Sequence, residues 1–225
     1  MEKIGIIGAM GSEVTLLQKR MADVKETAYA GRVFYEGTLG GKAAVLVCSG
    51  IGKVNSAMTA QLLIDRFGVS AVTNTGIAGG AGNAHVRDVV ISTDITYHDM
   101  ELRILALGYP NLEFFQADKA LQQAAAAACE GHLRYHLGRI VTGDQFISSK
   151  EVKEEIVSRL HPLAVEMEGG SIAHVCTANA VPFVVIRCIS DNADDEAEMS
   201  YDTFEQLAAD DAAQVVERML EGYGG

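Results

Sequence analysis

The stretch KIGIIGAMGSEVTLLQKRM (residues 3–21) decides the fold class. Its first seven residues form a short, largely β-branched run ending in Gly8-Ala9, and the stretch from Ser12 onward places apolar residues at helical spacing. A strand feeds a helix. Moving outward, RVFYEGTL (32–39) and KAAVLVC (42–48) flank the pair Gly40-Gly41, which predicts two antiparallel strands joined by a tight turn. After SGIGK (49–53) come a helix pattern in 54–68, a strand in 71–76, the glycine-rich GIAGGAGN (76–83) and a strand in 88–99. An alanine-rich helix at 118–131 follows. Further strands are expected at 138–144, 162–168 and 182–191, with helices at about 149–160, 170–179 and 202–221. Only residues 100–115 lack a clear period, which reads as a loop or short helix.

This rhythm predicts an α/β fold: one domain spanning 1–225, three layers, with a mixed central sheet flanked by helices on both sides. Ligands of such sheets bind outside the carboxyl ends of the strands, so those ends are the places to inspect. The chain has 225 residues, 48% of them hydrophobic, enough for one substantial core. A formal charge of -12 and a pI near 4.9 disfavour nucleic acid or an acidic membrane surface as partner and favour a small ligand. Cys48, Cys129, Cys176 and Cys188 are widely spaced in apolar surroundings without a CxxC pair. They read as buried thiols in a reducing cytoplasm. The amino terminus carries no signal-peptide pattern, and no apolar run reaches membrane-spanning length.

Three strand ends carry carboxylates. In PLAVEMEGGSIAHV (162–175), a period of two places Leu163, Val165 and Met167 on one face and Glu166 and Glu168 on the other, the two carboxylates roughly 7 Å apart. Asp191 ends the apolar run PFVVIRCISD, which also delivers Arg187 and Ser190. Glu13 lies just beyond the first strand. Each has an ordinary alternative: a solvated strand-end acid, or, for Glu13, a charge that complements its helix dipole. Asp194, Asp195 and Glu196 read as a solvated acidic loop rather than a metal site. The glycine clusters lack the spacing of a dinucleotide fingerprint, and Lys53 is followed by Val54 where a P-loop has Ser or Thr. Carboxylates gathered at one sheet edge match the needs of glycosidic-bond hydrolysis, where one group activates water and another protonates the leaving group. A buried strand-end Glu168 is also suited to accept two hydrogen bonds from a ribose diol.

GIIGAM (5–10) with Glu13, SGIGKVNSA (49–57), NTGIAGG (74–80), TGDQFI (142–147), AVEMEGGSIAHVC (164–176) and FVVIRCISDNAD (183–194) occur in this order over nearly the whole chain. Together they resemble the methylthioadenosine/S-adenosylhomocysteine nucleosidases of the purine nucleoside phosphorylase and uridine phosphorylase superfamily. The resemblance implies a nucleoside phosphorylase-like fold, a homodimer, no cofactor or metal, and hydrolysis of 5′-thio-substituted adenosines in methionine salvage. It implies that Glu13 polarises the attacking water and that Asp191, oriented by Ser190 and Arg187, protonates adenine N7. Glu168 would hold the ribose hydroxyls over Met167, Glu166 would support the water, Phe146 would stack on adenine, and the backbone of Ile147 would read its edge. Met10, Ile51 and Tyr201 complete the expected substrate-binding set. Two positions depart from the pattern. Ile77 stands where the family usually has serine, and segment 100–118 differs from the loop that usually contributes to the partner subunit's 5′-thio pocket. The competing readings are a phosphorolytic enzyme, disfavoured by an acid where phosphate-binding arginines would stand, and a non-catalytic nucleoside-binding protein.

Overall fold

The computed structural model describes residues 3–194 and 197–224. The elements follow the order β1 (Lys3–Gly8), α1 (Gly11–Arg20), β2 (Ala22–Tyr29), β3 (Arg32–Leu39), β4 (Lys42–Cys48), α2 (Lys53–Phe67), β5 (Ala71–Gly80), β6 (Val89–Tyr97), α3 (Leu102–Leu105), β7 (Phe115–Gln116), α4 (Lys119–Cys129), β8 (Tyr135–Thr142), α5 (Lys150–Leu160), β9 (Ala164–Glu166), α6 (Gly169–Ala178), β10 (Phe183–Asp191) and α7 (Ala197–Gly222).

One mixed sheet carries all ten strands, and β5 is its pivot. The first half of β5, Ala71 to Asn74, runs parallel to β1, whose other edge pairs with β4; β3 and β2 continue that arm antiparallel. Beyond Asn74, β5 leaves β1, and Gly79 and Gly80 pair with β9. The opposite edge of β5 runs parallel to β10, which pairs with β6, then β8, then β9. Five strands (β5, β10, β6, β8 and β9) therefore close on themselves within the mixed sheet.

Successive residues of β1 face opposite layers, as the strand period requires. Ile4 and Ile6 belong to a core layer that also holds Val14 and Leu17 of α1, Leu121 and Ala125 of α4, and Ala212 and Val216 of α7. Ile7 belongs to the layer on the other side, with Leu63 and Phe67 of α2 and Ile172 and Cys176 of α6. Each such fully buried aliphatic side chain contributes about 1.5–3 kcal/mol. α5 lies over Val141 and Val165 through Ile156 and Leu160.

Several boundaries differ from the sequence expectation. The strand expected over 162–168 is only β9, because Glu166 Oε2 accepts the N–H groups of Glu168 (3.0 Å) and Gly169 (2.7 Å) and turns the chain into α6. β2, largely exposed and without alternation, is held by its pairing with β3. α7 begins earlier than the period suggests; the aperiodic segment, expected as a loop or short helix, holds the four-residue α3. All four cysteines are free thiols; Cys48 is half-buried, the others buried. Asp194 is partly buried, and Asp195 and Glu196 lie outside the described residues. Among the described residues, no helix is long and apolar enough to cross a membrane.

Candidate active site

The carboxyl ends of β1, β5, β9 and β10 surround a cavity of about 510 Å³, completed by the segment after β8 and by Tyr201 and Asp202 of α7. Glu13, Asp191, Met10, Ile51, Ile77, Phe146, Ile147, Glu166, Met167, Glu168, Ser190 and Tyr201 all line it. Five of its lining residues are acidic, the fifth being Asp202, and none is Lys or Arg.

Glu13 is the N3 residue of α1 and turns back on its own helix start. Its Oε2 accepts the N–H groups of Ala9 (2.6 Å) and Met10 (3.1 Å), and its Oε1 accepts that of Ile77 (3.0 Å). The Glu13 half of a capping box, its carboxylate on the N-cap N–H, is thereby used to fix a buried acid between β1 and β5. Gly76 makes this approach possible: a Cβ there would lie 2.2 Å from Glu13 Oε1. Burial raises the Glu13 pKa above its ordinary value, against the opposing pull of Arg187 and the three N–H groups. A carboxylate so held is poised to take a proton rather than shed one.

Glu166, Glu168 and Arg187 form a buried charge cluster. Arg187 Nη2 donates to Glu166 Oε2 and to Asn74 Oδ1 (2.6 Å), and lies 3.7 Å from Glu168 Oε2. Thr142 Oγ1 donates to Glu166 Oε1 and accepts from the N–H of Gly170. Glu168, at the start of α6, accepts the N–H of Gly52 at 2.8 Å through Oε1. Burial and then the neighbouring Glu166 push the Glu168 pKa up to about 8.

Asp191 sits past a bulge in β10, where Ile189 pairs with Ala78 and Asp191 with Gly79, leaving Ser190 as the extra residue. The bulge delivers Ser190 and Asp191 together to the cavity. Ser190 Oγ donates to Asp191 Oδ2 at 2.8 Å and the N–H of Ala193 to Oδ1 at 2.7 Å. Burial raises the Asp191 pKa in spite of these two bonds.

The expectation that Arg187 orients Asp191 is corrected by this geometry. Four residues along a strand span about 13 Å, and the intervening bulge breaks the alternation of faces. Arg187 is 1% exposed, does not line the cavity, and serves Glu166 and Asn74 instead.

The remaining wall is apolar and aromatic. The Phe146 and Tyr201 rings meet edge to face at 5.7 Å, and Tyr201 Oη donates to Met10 Sδ at 3.4 Å. Ile147 is buried, Met167 half-buried and Ile51 exposed at the mouth. Apolar and aromatic side chains thus line one part of the cavity and the carboxylates of Glu13 and Glu168 another.

The sequence model of the phosphorylase superfamily matches residues 3–221. Over 223 residues the chain is 41% identical to the 5′-methylthioadenosine/S-adenosylhomocysteine nucleosidase of Halalkalibacterium halodurans, covering 96% of each. The chain belongs to the phosphorylase superfamily, in its methylthioadenosine/S-adenosylhomocysteine nucleosidase family. The crystal structure of the nucleosidase from Neisseria meningitidis in complex with methylthio-immucillin-A aligns with a TM-score of 0.92 at 39% identity, covering 98% of this chain and 99% of that one. A futalosine hydrolase of Helicobacter pylori aligns with a TM-score of 0.91 at 36% identity, covering 98% and 97%.

Within this nucleosidase-family site, sequence reasoning passed over Asn74 and Thr142. Both are fully buried polar residues, Asn74 between Thr73 and Thr75 in β5 and Thr142 at the end of β8, and their neighbours give no pattern that singles them out. It also passed over Gly52, whose contribution is a backbone N–H that no side-chain pattern reveals.

Proposed function

We propose that the chain hydrolyses the N-glycosidic bond of 5′-methylthioadenosine, S-adenosylhomocysteine and related 5′-substituted adenosines, releasing adenine and the thioribose. The observation that carries this reading is the placement of two separately held acids, Glu13 and Asp191, in one cavity with an aromatic wall and a third acid, Glu168, available to a diol.

Asp191, whose pKa burial raises, gives a proton to adenine N7, so the base departs neutral as the C1′–N9 bond breaks. Ser190 holds the carboxyl in place and the Ala193 N–H favours the carboxylate that remains. Ionised Glu13 takes a proton from water as its oxygen bonds to C1′. Arg187 balances the negative charge of Glu166 and Glu168 behind the cavity. Atoms balance with water as the sole co-reactant.

Phosphorolysis is a poorer fit, because among the described residues no Lys or Arg lines the cavity to pair with a phosphate dianion, and acids stand there instead. Incubating the protein with 5′-methylthioadenosine, with and without phosphate, tests the assignment. Free thioribose under both conditions is expected; a phosphate-dependent sugar phosphate would reassign the chain to the phosphorylases, and no adenine release would leave a binding protein.

The same reading takes residues 1–225 as one nucleosidase domain, working in the cytoplasm in methionine salvage. Free thiols support a reducing compartment. A homodimer is part of the proposal. Light scattering of the purified protein checks the stoichiometry.

A further inference from the structure

Three residues from three segments close a ring at the rim of the cavity. Lys53 Nζ, at the start of α2, donates to both carboxylate oxygens of Asp99, at 2.8 and 2.7 Å. Asp99, just after β6, also accepts the N–H of Asp144 through Oδ2 at 3.0 Å. Asp144, just after β8, returns to Lys53 by accepting its backbone N–H through Oδ1 at 2.9 Å. Both flanks of the ring are parts of the site. On one side, Gly52 gives its N–H to Glu168; on the other, Gln145, Phe146 and Ile147 line the cavity.

The backbone is fitted to this arrangement. Gly52 has a φ of +95°, and a Cβ there would lie 3.0 Å from Asp144 Oδ1. An isolated surface ion pair contributes little, about 0–1 kcal/mol. This one differs in kind, because both the ammonium and the backbone N–H of one residue are taken by carboxylates on separate segments. What the ring fixes is the position of two loops relative to each other. The Lys53 and Asp99 side chains are three-quarters or more buried, and Nζ lies 5.4 Å from the centre of the Tyr97 ring.

We propose that Lys53 is a positioning residue for recognition of the sugar: with Asp99 and Asp144 it holds the Gly52 N–H on Glu168 and sets that carboxylate in register with the Phe146 wall. The proposal rests on the nucleosidase reading of the site. Without the ring, Glu168 loses a donor that favours its charged form, and its grip on a ribose diol weakens more than the proton transfers at Glu13 and Asp191 do.

The test compares Lys53→Met, Asp99→Asn and Lys53→Arg, with Arg20→Met as a control that removes only the outlying Arg20–Glu217 pair. Adenine release is measured from 5′-methylthioadenosine and from its 2′-deoxy counterpart, with melting temperatures alongside. For Lys53→Met, kcat/KM on the riboside is expected to fall about tenfold, chiefly through KM, with the deoxyriboside losing less than about threefold. Lys53→Arg is expected to recover part of the loss and Arg20→Met to show none. Equal losses on the two substrates, or no loss at all, overturn the proposal. If Lys53→Met does not fold, Asp99→Asn carries the same comparison. If the wild-type protein releases no adenine, the nucleosidase reading fails by itself. The ring is then read by calorimetric binding of adenosine and 2′,3′-dideoxyadenosine to wild type and variant, where a loss confined to adenosine supports it and an equal loss overturns it.

Discussion

The backbone N–H of Ile77 donates to Glu13 Oε1 at 3.0 Å, so the residue that departs from the family pattern is also one that holds the proposed base. Its side chain is 8% exposed, lines the cavity and packs in the same core cluster as Val14 of α1. Substituting Ile77→Ser leaves the backbone bond and adds a hydroxyl beside Glu13. We expect kcat/KM on methylthioadenosine to rise by up to about tenfold, about 1.4 kcal/mol of transition-state stabilisation. Melting temperature is expected to fall, since removing a buried aliphatic side chain costs about 2 kcal/mol or more. A decline in both quantities would mean that Ile77 shapes the cavity for a different 5′ substituent.

Glu13→Gln is expected to reduce hydrolysis about 100-fold or more. The structure also assigns it a stability cost. Both oxygens of Glu13 accept backbone N–H groups, and an amide must turn its NH2 toward one of those donors. An unmet buried donor costs about 1–3 kcal/mol. Thermal unfolding and turnover measured together check this, and a variant with normal turnover would remove Glu13 from the role of base.

Asp191→Asn keeps an acceptor for the Ala193 N–H and an amide that Ser190 Oγ can accept from, so the fold is expected to tolerate it. It cannot deliver a proton to N7. A loss of about 100-fold or more in kcat is expected, with binding of a non-hydrolysable nucleoside analogue retained. Near-normal turnover in the folded variant would place the acid elsewhere.

For Glu168, pH gives a separate readout. Its pKa in the folded protein is raised from 4.5 to about 8, so its contribution to stability is fully present below about 4.5 and is lost as pH rises through about 8. The raised pKa values of Glu13 and Asp191 act with the same sign. The melting temperature of the free protein is therefore expected to fall between about pH 5 and pH 9, and to fall less steeply in Glu168→Gln. A calorimetric pH series with identical slopes for both proteins would show that Glu168 ionises like an exposed acid. The same variant is expected to lose more activity on ribosides than on deoxyribosides, because it weakens a charge-assisted contact to the diol.

The sequence by itself determined the alternation of strands and helices and the arrival of Glu13, Glu166, Glu168 and Asp191 at strand ends. These follow from local periodicity and from glycine at turns, both written in neighbouring residues. Only the tertiary structure decided that β5 changes partners after Asn74, that a bulge at Ser190 separates Arg187 from Asp191, and that Glu166 ends its own strand by capturing the N–H groups of α6. Each of these depends on which backbone donors and acceptors meet across strands distant in sequence. The ring of Lys53, Asp99 and Asp144 has the same character: its members are 45 and 46 residues apart in the chain, and only the convergence of three strand and helix ends makes them neighbours.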